Sequence, residues 1–255
     1  MKVIFDLDGT ICFKGQPVSK NILDYLENLQ SLGHLIGFAS ARPCRDMLPV
    51  LDERFRHNLL IGANGAITYY QGELMHVNYI PMKLADEVLS ILDEYKAAYL
   101  IDDQWDYAYN FECNHPFLEN VDGLNISKRV KISDLTYIVK ILVVSCDRFE
   151  ELSQRLRRLN VTIHYHSSEG MLDITNKNTS KMEALRRFGI RQGEFTCFGD
   201  DMNDISMFKE AHHSVAIGSF PGLTDIATHC IHTDDDIEKR IIEELQKMSN
   251  SLVER

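Results

Sequence analysis

The stretch KVIFDLDGT, residues 2–10, decides the fold of this chain. Residues 2–5 are a short, mostly apolar run of strand-forming side chains, which is typical of a parallel strand buried on both faces. The run ends in Asp6-Leu7-Asp8, followed by Gly9 and Thr10. Because ligands of open α/β sheets bind at the carboxyl ends of strands, this acidic segment is the first candidate site.

Strand and helix patterns alternate on the carboxyl side of this segment. Apolar residues at helical spacing follow Ser19 and stop at Gly33, which predicts a helix with Ser19 as its N-cap. Further strands are predicted at 35–39 and 59–61, a helix at 43–51 and a hairpin within 66–77. This alternation predicts a doubly wound parallel sheet, a Rossmann-like α/β core.

The pattern changes after Pro81 and returns at Thr179. Between them, amphipathic helices are predicted at 82–95 and 149–159, with short strands at 97–101, 107–111, 139–145, 161–166 and 171–174. This mixture predicts a smaller α+β domain with a largely antiparallel sheet. After Thr179 we expect helices at 181–188, 202–209, 223–227 and 237–248, and strands at 195–198 and 214–217. We therefore expect a core of residues 1–80 and 179–255, with residues 81–178 inserted as a second domain.

Composition and charge narrow the classes of function. The 255 residues are 44% hydrophobic and carry a formal net charge of −11, which disfavours nucleic acid and anionic membranes as partners. No apolar run approaches the roughly 18 residues that span a bilayer, and the immediate start of a strand leaves no room for a signal peptide. We expect a cytoplasmic protein. Its six cysteines lie far apart and are expected to be reduced.

Two acidic segments are candidates for metal binding. Asp6 and Asp8 leave one strand end at alternate positions and can converge, and two close carboxylates repel unless a proton or a metal separates them. The segment 199–204 places Asp200, Asp201 and Asp204 after another predicted strand. Oxygen donors of this kind suit Mg²⁺. The alternative is that these aspartates only cap turns and helices.

Two further segments are candidates for binding an anion. Lys181 opens a predicted helix that Thr179 or Ser180 would cap, where a cation is unfavourable unless an anion lies nearby. Ser40 and Arg42 follow the second predicted strand, and they offer a hydroxyl and a planar guanidinium suited to phosphate or carboxylate. A solvated lysine and an ordinary loop serine are the alternatives.

Taken in chain order, the four segments around Asp6, Ser40, Lys181 and Asp200 resemble the motifs of the haloacid dehalogenase superfamily of phosphohydrolases. The position of the inserted domain resembles the class IIB, or Cof-type, branch of that family. The resemblance implies that Asp6 is the nucleophile and Asp8 the general acid/base. It implies that Ser40 and Lys181 complete the catalytic set. The segment Asn64-Gly65-Ala66 also resembles a stretch that this branch carries after its third strand.

The resemblance implies a Mg²⁺-dependent phosphatase that hydrolyses a small phosphomonoester, such as a sugar phosphate, through an aspartyl phosphate. The implied metal ligands are Asp6, the backbone carbonyl of Asp8, Asp200 and Asp204. The implied phosphate-binding residues are Leu7, Gly9, Thr10, Arg42 and Asn203. The inserted domain would act as a cap that reads the leaving group, with candidate readers Trp105, Tyr107, Tyr109, His164, His166 and Glu169.

Two other functions are open from the sequence. One is a phosphosugar mutase, which uses the same chemistry and has the same motifs. The other is a phospho-accepting switch, although such modules are smaller and lack an inserted domain. The sequence does not name the substrate.

Overall fold

The computed structural model describes residues 1–166 and 170–253, whose strands form two separate β-sheets. The strands in chain order are β1 (Lys2–Phe5), β2 (Leu35–Ala39), β3 (Leu59–Gly62), β4 (Ile67–Tyr70), β5 (Glu73–Val77), β6 (Ala98–Asp102), β7 (Tyr107–Tyr109), β8 (Lys140–Ser145), β9 (Val161–His166), β10 (Met171–Asn176), β11 (Thr196–Gly199), β12 (His213–Ile217) and β13 (His229–Ile231). The α-helices are α1 (Lys20–Ser31), α2 (Cys44–Met47), α3 (Met82–Glu94), α4 (Phe149–Leu156), α5 (Lys181–Phe188), α6 (Ile205–Phe208), α7 (Pro221–Thr224) and α8 (Ile237–Val253).

The larger sheet has eight strands in the order β13-β12-β11-β1-β2-β3-β4-β5. The first six are parallel, and β4 and β5 add an antiparallel hairpin at one edge. Val3 and Phe5 of the central strand β1 belong to one apolar cluster, whereas Ile4 belongs to another. The sheet is therefore buried on both faces, and the predicted parallel α/β core is confirmed.

The smaller sheet has the order β7-β6-β8-β10-β9 and is antiparallel throughout. Alternate residues such as Ile101, Ile141 and Leu172 pack with α3 and α4 in a third apolar cluster. The residues between them on the strands face the other way, toward the carboxyl end of β1. The predicted second, α+β unit is present, and the boundaries at residues 81 and 178 stay a prediction.

Local signals place the helices that matter for the site. The Ser19 hydroxyl accepts a hydrogen bond from the amide of Ile22 and caps α1. Ser180, rather than Thr179, caps α5, because its hydroxyl accepts from the amide of Glu183. Gly189, at φ +95°, ends that helix.

Several elements differ from the sequence-based expectation, among them the helix expected at 223–227, which is found at Pro221–Thr224. The helix expected at 43–51 is only four residues long, and Pro49 lacks the amide that would continue it. The helix expected at 202–209 begins as a 3₁₀ turn over Met202–Asp204, because the Asp204 carboxylate bends back to accept from the amides of Asp200 and Asp201. Strand β13 was not predicted. No helix in the described part of the chain is both long and apolar enough to cross a bilayer.

Candidate active site

Three carboxylates meet at the carboxyl end of the parallel sheet. Asp6 follows β1, Asp200 follows β11, and Asp204 lies in the turn after it. One oxygen from each lies within 4.8 Å of the others. The adjacent parallel strands β1 and β11 bring together residues almost two hundred positions apart.

Lys181 lies between two of these carboxylates. Its Nζ donates to Oδ1 of Asp6 at 2.6 Å and to Oδ1 of Asp204 at 2.7 Å, and its side chain is fully buried. Burial lowers the pKa of Lys181, but the charges of Asp204 and Asp6 outweigh burial and raise that pKa above its usual value. The ammonium therefore stays charged at the start of α5.

Thr10 and Gly9 shape the other side of the carboxylate cluster. The Thr10 hydroxyl lies 3.0 Å from Oδ2 of Asp6 and 3.2 Å from Oδ1 of Asp200. Gly9 has φ +81°, and a Cβ at this position would lie 2.0 Å from Oδ2 of Asp200. Only glycine allows both this backbone conformation and this close approach of the carboxylate.

The donor set fits a divalent cation. Three carboxylates and one ammonium leave two negative charges in a buried cluster. Burial, with the neighbouring Asp6 and Asp204, raises the pKa of Asp200, and burial also raises the pKa of Asp6. In the absence of a cation these groups would tend to hold protons. A hard cation with oxygen ligands replaces those protons and balances the charge.

Asp8 and Arg42 pair with each other across the mouth of the site. The Nε and Nη2 atoms of Arg42 donate to the two Asp8 oxygens, each at 2.7 Å. Arg42 therefore binds a carboxylate here, one of the two partners that its geometry suits. The Ser40 hydroxyl oxygen accepts from the amide of Arg42 at 3.1 Å, which leaves the hydroxyl hydrogen to donate elsewhere.

The backbone amides of residues 7–10, which are expected to bind phosphate, are partly used in hydrogen bonds within their own turn. The amide of Gly9 donates to the carbonyl of Cys12, and the amide of Thr10 donates to the carbonyl of Leu7. These two amides are not directed outward as donors, so the role of Gly9 and Thr10 in binding phosphate stays a prediction.

A cavity of about 470 Å³ lies between the carboxylate cluster and the smaller sheet. Its floor includes Asp6, Asp8, Ser40, Asp200 and Asn203. Its roof comes from the face of the smaller sheet opposite to α3 and α4 and from the segment after β7. The roof residues are Leu100, Asp102, Phe117, Asn120, Val121, Lys140, Leu142, Met171 and Asp173.

A wider cleft of about 1280 Å³ opens on the far side of Gly9 and Asp200. Its wall carries the consecutive acidic residues Asp234, Asp235 and Asp236. Of the candidate catalytic residues, Asp6, Asp8 and Ser40 line the smaller cavity, and none of these three lines the wider cleft.

The roof residues differ from the cap residues expected to read the substrate. The Trp105 indole donates to the carbonyl of Ile126, and the Tyr107 and Tyr109 rings stack at 6.3 Å. None of these three, nor His164, lines the cavity. The His166 side chain and Glu169 lie outside the described residues. Leu100 and Asp102 share one face of β6, and Lys140 and Leu142 share one face of β8, as their two-residue spacing indicates. The spacing alone does not tell which face of the sheet meets the core.

A buried polar network that sequence reasoning missed connects the floor to the roof. The Asn203 amide donates to Oδ1 of Asn64 at 3.0 Å, and Nδ2 of Asn64 donates to Oδ2 of Asp173 at 2.8 Å. Asp173 also pairs with Lys140, whose Nζ donates to the carbonyl of Ala41 at 3.0 Å. This network joins the two sheets through charged and amide groups.

Comparisons with known proteins agree with this architecture. Residues 3–241 match the model of the haloacid dehalogenase-like hydrolases. The chain is 25% identical over 237 residues to the putative phosphatase YkrA of Bacillus subtilis, covering 88% of this chain and 89% of that protein.

Solved structures show the same fold. A haloacid dehalogenase-like hydrolase from Bacteroides thetaiotaomicron superposes with a TM-score of 0.81 at 20% identity, over 96% of this chain and 98% of that one. The subclass IIB sugar phosphatase BT4131 superposes with a TM-score of 0.78 at 20% identity, over 97% and 98%.

The chain belongs to the haloacid dehalogenase-like hydrolase family. The resemblance predicted from the sequence is therefore confirmed. The predicted enzyme class, a phosphoric monoester hydrolase, is confirmed with it.

Proposed function

We propose that this chain is a Mg²⁺-dependent phosphatase that hydrolyses a small phosphomonoester through a phospho-aspartate on Asp6. The observation that carries the proposal is the convergence of Asp6, Asp200 and Asp204 on one point with Lys181 between them. The matched family and the phosphatases among the relatives support the reaction class. The substrate is held in the cavity of about 470 Å³ above the cluster.

Asp6, Asp200 and Asp204 are the side chains that would hold the cation, with the backbone carbonyl of Asp8 as the expected fourth ligand. When bound, Mg²⁺ supplies positive charge that offsets the charge on the transferring phosphoryl group. Lys181 supplies a second, fixed positive charge and holds the Asp6 carboxylate in place through its 2.6 Å contact. The Ser40 hydroxyl is available to donate to a phosphoryl oxygen.

The first chemical step is attack of an Asp6 oxygen on phosphorus. The bond from phosphorus to the substrate oxygen breaks, and its electron pair leaves with that oxygen. Asp8 gives its proton to this leaving oxygen, so the alcohol departs neutral. Both Asp8 oxygens accept from Arg42 in this structure, so Asp8 must first leave Arg42 and take up a proton from solvent before it can act as the acid.

The second step regenerates the enzyme. Asp8, now a carboxylate, takes a proton from water as the water oxygen attacks phosphorus. The bond from phosphorus to Asp6 breaks, and inorganic phosphate leaves. The two half-reactions return both aspartates to their starting protonation states.

A panel of phosphomonoesters tests this function. Purified protein is incubated with Mg²⁺ and with sugar phosphates, nucleotides and cofactor phosphates, and free phosphate is measured. The proposal predicts release that stops with EDTA and returns with excess Mg²⁺. A phosphate that moves within the substrate without being released would instead identify a mutase. A stable phosphoprotein without turnover would identify a switch.

A further inference from the structure

One side chain, that of Asn64, contacts both the acidic loop (residues 199–204) and the smaller sheet. Its Nδ2 donates to Asp173 of β10 at 2.8 Å, and its Oδ1 accepts from Asn203 at 3.0 Å. Asn64 is fully buried. Both ends of its amide are therefore engaged, one on each side of the cavity.

The backbone that presents Asn64 is held in an unfavourable conformation. Ala63 and Asn64 lie in the left-handed region at φ +51° and +58°, which non-glycine residues rarely adopt in succession. A Cβ on Gly65 would lie 2.2 Å from the carbonyl oxygen of Ser180, directly before Lys181. The segment is thus fixed against the start of α5, and such strain persists where the surroundings require it.

The segment is also tied to the loop after β2. The amide of Asn64 donates to the carbonyl of Ser40 at 3.0 Å, and the amide of Ala63 donates to the carbonyl of Arg42 at 2.7 Å. The backbone around Asn64 therefore contacts the segment of Ser40 and Arg42 and the start of α5. The Asn64 side chain contacts the acidic loop.

We propose that Asn64 is a positioning residue that ties the placement of the acidic loop to the position of the smaller sheet. Asp173 is itself held by Lys140 at 3.2 Å. The Asn64 side-chain amide therefore links this fixed carboxylate in the roof to Asn203 in the floor. Asn203 precedes Asp204 and follows Asp200 by three positions. Loss of the link lets the acidic loop shift relative to Asp6, and the three carboxylates no longer meet.

The direction of the two hydrogen bonds provides a sharp test. An ionised Asp173 only accepts, so Asn64 must turn its NH₂ group to Asp173 and its oxygen to Asn203. The variant N64D places two carboxylates against each other. The double variant N64D/D173N exchanges carboxylate and amide, so the bond between positions 64 and 173 forms again. The carboxylate at position 64 still accepts from Asn203.

The experiment compares wild type, N64D, D173N and N64D/D173N, with N64D/D102N as the matched control. Asp102, like Asp173, is a buried strand carboxylate beside Lys140, but it accepts a hydrogen bond from Arg45 rather than from Asn64. Hydrogen–deuterium exchange of the acidic-loop amides is measured by mass spectrometry. kcat and KM are measured with Mg²⁺ and one phosphomonoester.

We expect N64D to speed exchange in the acidic loop and to lower kcat/KM by about tenfold or more, as for loss of a buried hydrogen bond that leaves a charge unpaired. N64D/D173N should recover in both quantities to about the values of D173N, since both variants lack the carboxylate that pairs with Lys140, and N64D/D102N should not recover in either quantity. The kinetic measurement rests on the proposed function. The exchange measurement does not, so a wild type without phosphatase activity would refute that function and leave the coupling testable.

If N64D folds, either of two outcomes would overturn the proposal. One is wild-type exchange in N64D. The other is losses in N64D/D173N as large as the product of the two single losses. If N64D does not fold, the proposal predicts that N64D/D173N folds. A double variant that fails to fold while D173N folds would also overturn it.

Discussion

Replacing Lys181 by methionine removes the one ammonium from the carboxylate cluster while keeping a side chain of similar length. Lys181 lies 2.6 Å from Asp6 and 2.7 Å from Asp204, with no exposed side-chain surface. At an effective dielectric constant of 20, each contact is worth roughly 6 kcal/mol. The net loss is smaller than this, because the variant has no ammonium to desolvate and its carboxyl groups can take up protons. We therefore expect the free energy of unfolding in metal-free buffer to fall by about 3–5 kcal/mol.

Urea unfolding followed by circular dichroism measures this loss. Lys2→Met is the matched control, because Lys2 pairs with Glu194 at 2.8 Å but on the surface, where an ion pair of similar length contributes little. Saturating Mg²⁺ should stabilise the wild type by about 2.7 kcal/mol at a hundredfold excess over its dissociation constant. K181M should gain at least as much, since its site carries one more negative charge. Equal stability of K181M and wild type without metal would refute the charge argument.

Three further predictions concern the same cluster. Asp6→Asn should abolish phosphate release while the protein still unfolds cooperatively; measurable turnover in that variant would remove Asp6 as nucleophile. Asp8→Asn should slow turnover by roughly 10²–10⁴-fold with little change in Mg²⁺ affinity by calorimetry, and normal turnover would exclude it as the acid/base. Gly9→Ala should weaken Mg²⁺ binding, because its Cβ would lie 2.0 Å from Oδ2 of Asp200. Gly193→Ala is the control, since Gly193 has a similar φ of +77° but no atom within 4 Å of its Cβ position, and it should leave Mg²⁺ binding unchanged. Equal effects of the two substitutions would show that the contact with Asp200 is not the cause.

The parallel sheet and the meeting of its acidic ends were predictable because they depend on local signals. An apolar run followed by aspartates gives a strand end, and the carboxyl ends of parallel strands share one edge of the sheet. Asp6, Asp200 and Asp204 meet as this reasoning requires. The N-cap of α1 at Ser19 was likewise readable from its own neighbourhood.

The roof of the cavity was not predictable because it depends on how the two sheets face each other. Aromatic residues at strand spacing suggested Tyr107 and Tyr109 as substrate readers, yet these rings stack on each other at 6.3 Å. Lys140 and Asp173 form a buried ion pair on the strands above the site. Neither has a local pattern that separates it from a surface charge.

The pairing of Asp8 with Arg42 also lies beyond sequence reasoning. The guanidinium suited both phosphate and carboxylate, and only the fold shows that the nearest anion is the proposed acid/base. Under the proposed mechanism, Asp8 must leave Arg42 before it can transfer a proton.

Mapping of the phosphoryl-enzyme tests the central claim most directly. Asp8→Asn protein with Mg²⁺ and a phosphomonoester that the wild type hydrolyses is quenched in acid, digested with pepsin and analysed by mass spectrometry. The account predicts a phosphoryl group on Asp6, which is lost in the D6N/D8N variant. A phosphoryl group on another residue would contradict the account. So would the absence of a phosphoryl group at every time point while the Asp8→Asn protein still turns over the same ester.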